Sequence, residues 1–247
     1  MKLRLLSYNI RYGGVGREEG LAAVIHGAEP DLVLLQEASR PDVVKRLADR
    51  TGMAYCGSVA GGSVGYLSRV ELLGHEWRQP RGCSRSLLRL DLAAPECSVF
   101  ALHLQAMHSN WSERRRVREL KAILSDIASH RDRFHLLAGD FNTLAPGEKL
   151  DRRRLPLRIR LITSLLGSTV RWETIQIMLD AGYADAFRAL HPDDSGVTFP
   201  TWDPHLRLDY LFVPAATVSR VERCEVVRGG EAASASDHFP LLTVVTP

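Results

Sequence analysis

Short apolar runs of strand length, each stopping at an acid, an amide or a histidine, constrain this chain more than any other feature. Leu3 to Ile10 carries Asn9 near its end, Asp31 to Gln36 stops at Glu37, and Ser98 to Leu104 contains His103. Phe134 to Ala138 runs into Gly139-Asp140-Phe141-Asn142, Leu208 to Val213 carries Asp209, and Leu241 to Val245 follows Ser236-Asp237-His238-Phe239-Pro240. Apolar runs of this length bounded by turn residues predict strands. A rigid sheet can hold polar side chains at its strand ends convergent while they still reach water, so the set points to one site.

Between these runs the period changes. Glu18 to Gly27 reads as a helix ended by Pro30, which gives the first two strands a β-α-β rhythm. From Tyr55 to Phe100, short strand-like pieces such as Val64 to Ser68 and Leu87 to Leu92 alternate with turns and predict an antiparallel meander. Ser112 to about His130 sets Val117, Leu120, Ile123, Leu124 and Ile127 on one helical face that would cover a sheet, and a further helix is expected from Trp172 to Ala181. Many strands and few helices bury both element types if two mixed, mostly antiparallel sheets pack face to face with helices outside. The expected class is therefore α/β (α+β), a four-layer α/β/β/α sandwich.

With 247 residues, 45% of them apolar and 25% charged, the chain can close a large core. No Gly/Ser/Pro linker divides it, so one domain over 1–247 is expected, with a basic and apolar insertion around 147–170. A formal net charge of +3 does not describe a strongly basic nucleic-acid binder, and local patches must carry any such argument. Cys56, Cys83, Cys97 and Cys224 lack the close pairs of a zinc site and read as free, mostly buried thiols. The first apolar run is too short for a signal-peptide core, and no stretch approaches the ~20 apolar residues of a membrane span. A soluble, cytoplasmic monomer is the expectation.

Each polar strand-end residue has an ordinary explanation when taken alone: an Asp in Gly-Asp-Phe-Asn caps turns, and a histidine near a strand end is commonly structural. Their order carries more. Tyr8-Asn9, Gln36-Glu37, His103-Leu104, Gly139-Asp140-Phe141-Asn142, Leu208-Asp209-Tyr210-Leu211-Phe212 and Ser236-Asp237-His238-Phe239-Pro240 resemble the motif series of the endonuclease/exonuclease/phosphatase superfamily. That group includes DNase I, exonuclease III-type abasic endonucleases, neutral sphingomyelinases and inositol polyphosphate 5-phosphatases. The resemblance spans residues 8 to 240, and its specific part is Gly-Asp-Phe-Asn followed in order by Ser-Asp-His-Phe-Pro.

The resemblance implies a divalent-metal-dependent hydrolase in which water attacks a phosphodiester in line. Such an anion reacts slowly until its charge is neutralised and the leaving oxygen stabilised. Glu37 is similar to the family's Mg²⁺ carboxylate, with Asn9 beside it and Asp237 as a further acid near the metal. Oxygen donors suit a hard cation, Mg²⁺ or Mn²⁺, better than zinc. Asp140 and Asn142 resemble the pair that orients and activates water. His238 resembles the histidine that meets the scissile phosphate or serves as base, Asp209 the carboxylate that fixes its tautomer, and His103 a phosphate-contacting histidine. Whether Asp140 or His238 takes the proton stays open. Glu119 stands where many members have glutamine before the helix leucine, so neither Arg116 nor Glu119 receives a substrate role. Thr198-Phe199-Pro200 is similar to a small family element and reads equally as a turn packing an aromatic.

The substrate divides over Arg152, Arg153, Arg154, Arg158 and Arg160, which alternate with Leu and Ile. They could track a nucleic-acid backbone, lie at an anionic membrane surface, or form the solvated face of a helix. The expectation is a DNase-like nuclease acting on DNA or RNA. The alternative is a sphingomyelinase-like or phosphoinositide phosphatase-like lipid enzyme in peripheral membrane contact. A catalytically inactive binding protein ranks third, because Glu37, the Asp140–Asn142 pair and His238 are all intact.

Overall fold

A computed structural model describes residues 1–106, 110–131, 133–148, 151–154 and 172–247. Its strands are β1 (Leu3–Asn9), β2 (Leu32–Gln36), β3 (Tyr55–Ser58), β4 (Val64–Ser68), β5 (Leu72–Arg78), β6 (Leu87–Leu92), β7 (Cys97–His103), β8 (His135–Asp140), β9 (Tyr183–Asp185), β10 (Asp209–Pro214), β11 (Val221–Val226) and β12 (Leu241–Val245). They build two six-stranded sheets, ordered β11-β12-β1-β2-β4-β3 and β5-β6-β7-β8-β10-β9. Each is mixed, with one parallel pair, β1 with β2 and β7 with β8, among antiparallel neighbours.

Side-chain alternation sorts the strands into layers. Leu3 and Leu5 of β1, Leu32 and Leu34 of β2, Val99 and Ala101 of β7, Leu136 and Ala138 of β8, and Leu211 and Val213 of β10 meet between the sheets. The opposite faces bury Leu6, Tyr8, Val33 and Leu35 under α1 (Glu18–Ala28) and α2 (Pro41–Thr51). They bury Phe100, Leu102, Leu137, Tyr210 and Phe212 under α3 (Asn110–Asp126) and α4 (Glu173–Asp180). Helix, sheet, sheet and helix stack as the four expected layers.

Two expectations are corrected, and one helix is added to them. The stretch from Tyr55 to Phe100 is not one meander: β3 and β4 complete the first sheet, the chain crosses between Ser68 and Leu72, and β5, β6 and β7 form the meander of the second. The helix expected to reach His130 ends at Asp126 and yields to a 3-10 turn, Ala128–His130, although Ile127 stays buried. Helix α2 was not anticipated; Pro41 opens it, and Gly52 closes it at φ 65° with its N–H on Ala48 O. The four cysteines are free, with Cys56 half-buried and the others buried. Most of the insertion around 147–170 lies outside the described residues. Among those described, no helix is long and apolar enough to cross a membrane.

Candidate active site

The same alternation that builds the inter-sheet core places the polar residues. In β1, Ser7 and Asn9 continue the face of Leu3 and Leu5; in β7, β8 and β10, His103, Asp140 and Asp209 continue the faces of Ala101, Ala138 and Leu211. Register then sets them side by side, because His103 pairs with Asp140 across β7 and β8, and Asp209 pairs with Asp140 across β10 and β8. Asn9, His103, Asp140, Asn142, Asp209 and His238 are all buried, and Glu37 and Asp237 are half-buried at the mouth.

Asp140 is the hub. Its Oδ1 accepts the Asn142 N–H at 2.8 Å, and its Oδ2 accepts Asn9 Nδ2 at 3.0 Å. Around the same Oδ2 stand His103 Nε2 at 3.6 Å and His238 Nε2 at 3.8 Å. Asn9 Nδ2 is also 3.5 Å from Glu37 Oε1, so one amide bridges two carboxylates that belong to different sheets. Glu37 leaves the end of β2 at φ 58° and receives the Tyr12 N–H on Oε2, while Asn142 adopts φ 53° and donates Nδ2 to Leu104 O at 3.2 Å. Left-handed backbone at two non-glycine residues of one site is held by these bonds.

His238 reaches the hub from the loop before β12. Its Nδ1 is 2.8 Å from Asp209 Oδ2, and Phe199 packs on its ring with centroids 4.7 Å apart. The Thr198-Phe199-Pro200 segment therefore packs an aromatic, and does so against a site residue. Ser236 Oγ donates to Asn9 O at 2.7 Å, which ties this loop to β1. Asp237 turns its Oδ2 to Arg11 Nε at 3.3 Å.

Burial sets the charges. It pushes Asp140 up, and although the His238 cation opposes this, Asp209 reinforces it, leaving the carboxyl at about 7. Burial alone would lower His238, but the carboxylates of Asp209 and Asp140 dominate and raise it to about 10. His103 is held well below its usual range by burial, then by the nearby cations of Arg85 and His238. The surroundings thus push His238 towards its cationic form, His103 towards its neutral form and Asp140 towards its protonated form.

Among the described residues, one donor atom each from Asp140, Asp209 and His238 lie within 4.8 Å of one another, close enough to hold a metal ion. The second oxygen of Asp209, Oδ1, is buried with no partner, as is His103 Nδ1. A carboxylate oxygen without a donor fits an oxygen-seeking divalent cation, and Glu37 adds a half-buried carboxylate across Asn9. Asn9 offers its amide nitrogen to the carboxylates, its Oδ1 being engaged by the Arg11 N–H at 3.0 Å.

Arg85 belongs to this neighbourhood and was missed. Its Nη1 donates to the carbonyls of His103 and Leu104, and its field falls on Asp140 and Glu37. Arg116 and Glu119, given no substrate role, are structural: Glu113 takes Arg116 Nη2 at 2.7 Å together with Thr143 and Thr174, and Glu119 takes the Ser84 hydroxyl at 2.7 Å. Of the five arginines, Arg152 to Arg154 form a 3-10 turn. Arg154 pairs with Asp203 and Arg153 is exposed, while Arg158 and Arg160 lie outside the described residues.

A sequence profile described as the Endonuclease/Exonuclease/phosphatase family matches residues 6–238. The chain belongs to the endonuclease/exonuclease/phosphatase family. A comparison with curated protein sequences gives no match. Solved structures of similar fold include an AP endonuclease from Archaeoglobus fulgidus, at 17% identity and TM-score 0.75 over 98% of this chain and 99% of that one. The 3' phosphatase NExo from Neisseria, bound to product DNA hairpin, is similar at 17% identity and TM-score 0.74 over 98% of each chain. A humanized D. rerio TDP2 is similar at 19% identity and TM-score 0.70, over 100% of this chain and 99% of that one. The likeness to these structures is one of fold. The family's enzymes are hydrolases, nucleases and phosphatases among them, and use divalent metals.

Proposed function

We propose that this family member is a divalent-metal-dependent phosphodiesterase that hydrolyses nucleic acid, with Mg²⁺ as its ion and Mn²⁺ able to replace it. The observation that carries the reading is the cross-sheet cluster: Asn9 bridging Glu37 and Asp140, faced by the buried His238–Asp209 pair. Glu37, with Asp237 and Asn9 beside it, would hold the cation. A bound cation supplies neutralisation of a phosphate oxygen and stabilisation of the leaving oxygen.

The chain's own groups divide the remaining work. Asp140, oriented by the Asn142 N–H, positions the attacking water and accepts its proton. His238, kept cationic by Asp209, meets the anionic phosphate, and neutral His103 donates to a phosphate oxygen. Similar folds occur in proteins that act on DNA, the AP endonuclease and the product-bound 3' phosphatase, which supports a nucleic-acid substrate. Arg153 and Arg154 fit contacts to its backbone, beside a loop that Arg154 already joins through Asp203.

Purified protein with Mg²⁺ should nick supercoiled plasmid and hydrolyse bis(4-nitrophenyl) phosphate, and Asp140→Asn should do neither. Cleavage of sphingomyelin or phosphoinositide vesicles without nicking would transfer the reading to lipid phosphoesters. Nicking retained in Asp140→Asn would assign it to a contaminant.

A further inference from the structure

Residues 11 and 12 have an unusual backbone for their type. Arg11 and Tyr12 take φ of 50° and 48°, a left-handed conformation that non-glycine residues rarely adopt. Both are fastened to the reaction centre, the Arg11 N–H on Asn9 Oδ1 and the Tyr12 N–H on Glu37 Oε2. Their main chain is held inward and the Tyr12 ring is left 78% exposed. Trp202 is 68% exposed too, in a turn whose Thr201 donates its N–H to Asp237 O at 3.0 Å and its hydroxyl to Ser236 O at 2.9 Å. Arg11 joins the two rings, its guanidinium carbon 5.4 Å from the Tyr12 centroid and 6.0 Å from that of Trp202. Its Nε is 3.3 Å from Asp237 Oδ2, next to His238.

We propose that Tyr12, Arg11 and Trp202 form a stacking clamp for an unpaired nucleobase beside the scissile phosphate. The inference rests on the phosphodiesterase reading above and adds the substrate's form: single-stranded nucleic acid, or a frayed end, in preference to closed duplex. Two aromatic faces and a guanidinium plane match the π-face of any base, and such stacking tolerates sequence. Only an unpaired base has a face to offer, because in duplex its neighbours cover both. A lipid surface suits the cluster less, since sinking these rings among acyl chains would also strip water from the Arg11–Asp237 pair. The clamp is tied by backbone bonds to Glu37, Asn9 and the Asp237–His238 loop, so a base held there has its phosphate delivered to the cluster.

The test uses the Asp140→Asn protein, which binds without cutting, and fluorescence anisotropy with labelled oligothymidylate and with a hairpin duplex of equal length. Single strand should bind more tightly than duplex. Adding Trp202→Ala or Tyr12→Ala should weaken single-strand binding about tenfold each, Trp202→Phe should recover most of that loss, and melting temperatures should stay within a few degrees of the parent. Equal single-strand affinity in parent and Trp202→Ala, or duplex bound as tightly as single strand, overturns the clamp. So does a Trp202→Ala effect confined to anionic vesicles. None of these outcomes touches metal-dependent hydrolysis of bis(4-nitrophenyl) phosphate, whose absence would instead remove the phosphodiesterase reading.

Discussion

Replacing Gly139 with alanine perturbs the pairing that sets His103 beside Asp140. Gly139 lies opposite Leu102 in the parallel β7–β8 ladder, one residue before the His103–Asp140 pair, and has φ +148°. A Cβ there would stand 1.9 Å from Leu102 O and 2.9 Å from Leu102 C, both backbone atoms. Relaxing that contact to an ordinary separation moves the strands apart by roughly 1.5 Å, since non-bonded heavy atoms settle near 3.5 Å. The ladder bonds on either side, each worth about 1 kcal/mol net, are then stretched or lost. Backbone strain of about 1–3 kcal/mol adds to this. A total near 3–5 kcal/mol corresponds to a fall in Tm of about 10 °C for a domain of this size. The same displacement carries Asp140 away from His103, and misplacement by about 1 Å costs on the order of 10²-fold in rate. Thermal unfolding followed by circular dichroism and hydrolysis of a chromogenic diester measure the two effects. The matching control is Gly27→Ala, at a helical position with open space around it, which should stabilise by about 0.4–1 kcal/mol. A Gly139→Ala protein with Tm within about 2 °C of the parent and an unchanged rate would refute the register argument.

Excess EDTA should abolish hydrolysis and Mg²⁺ or Mn²⁺ restore it; a Tm that also rises with Mg²⁺ concentration would report binding to the folded chain alone, and full turnover in EDTA would remove the metal from the reading. His238→Ala should lower turnover about 10²-fold or more in protein that still folds by circular dichroism, and a near-normal rate would exclude it from the chemistry. His135 is buried, with Nε2 2.7 Å from the Tyr183 hydroxyl, and burial lowers its pKa. Below about 6.5 the unfolded chain therefore takes up a proton that the folded one refuses, so the stability advantage of the parent over His135→Gln should shrink as pH falls from 7 towards 5; denaturant melts at both pH values would show it, and a constant or growing advantage would contradict the sign. Glu113→Ala removes the buried carboxylate that faces the Arg116 guanidinium and accepts from Thr143 and Thr174, and should destabilise by about 3–5 kcal/mol, a loss that urea unfolding would measure and that a shift under 1 kcal/mol would rule out.

Period-two alternation made much of the cluster readable in advance. Asn9, His103, Asp140 and Asp209 each sit an even number of residues from inward-facing apolar side chains in the same strand, so the order of apolar and polar residues already encodes a shared face. What alternation lacks is partner identity. Val64 to Ser68 and Leu87 to Leu92 look alike as strings, yet the first pairs with β2 and β3 in one sheet and the second with β5 and β7 in the other. Helix α2 escaped because Asp42, Lys45, Arg46, Asp49 and Arg50 dilute its Val43, Val44 and Leu47 stripe, although Pro41 and Gly52 mark both ends. Arg85 carries no motif, and its role arises from carbonyls 18 and 19 residues away. Glu113 and Arg116 resemble a solvated helix face until Thr143 and Thr174 arrive over them.

The two sheets touch each other chemically as well as sterically, through Asn9 to Asp140 and His238 to Asp209. Those bonds run across the seam between the sheets. Any change that slides one sheet on the other by a few tenths of an ångström alters them directly, whereas global stability answers to the whole apolar interior. Catalytic rate should therefore act as a fine gauge of how the sandwich is seated. Conservative swaps at Leu34 or Leu90, buried between the sheets and remote from any substrate, would register in turnover before they register in a melting curve.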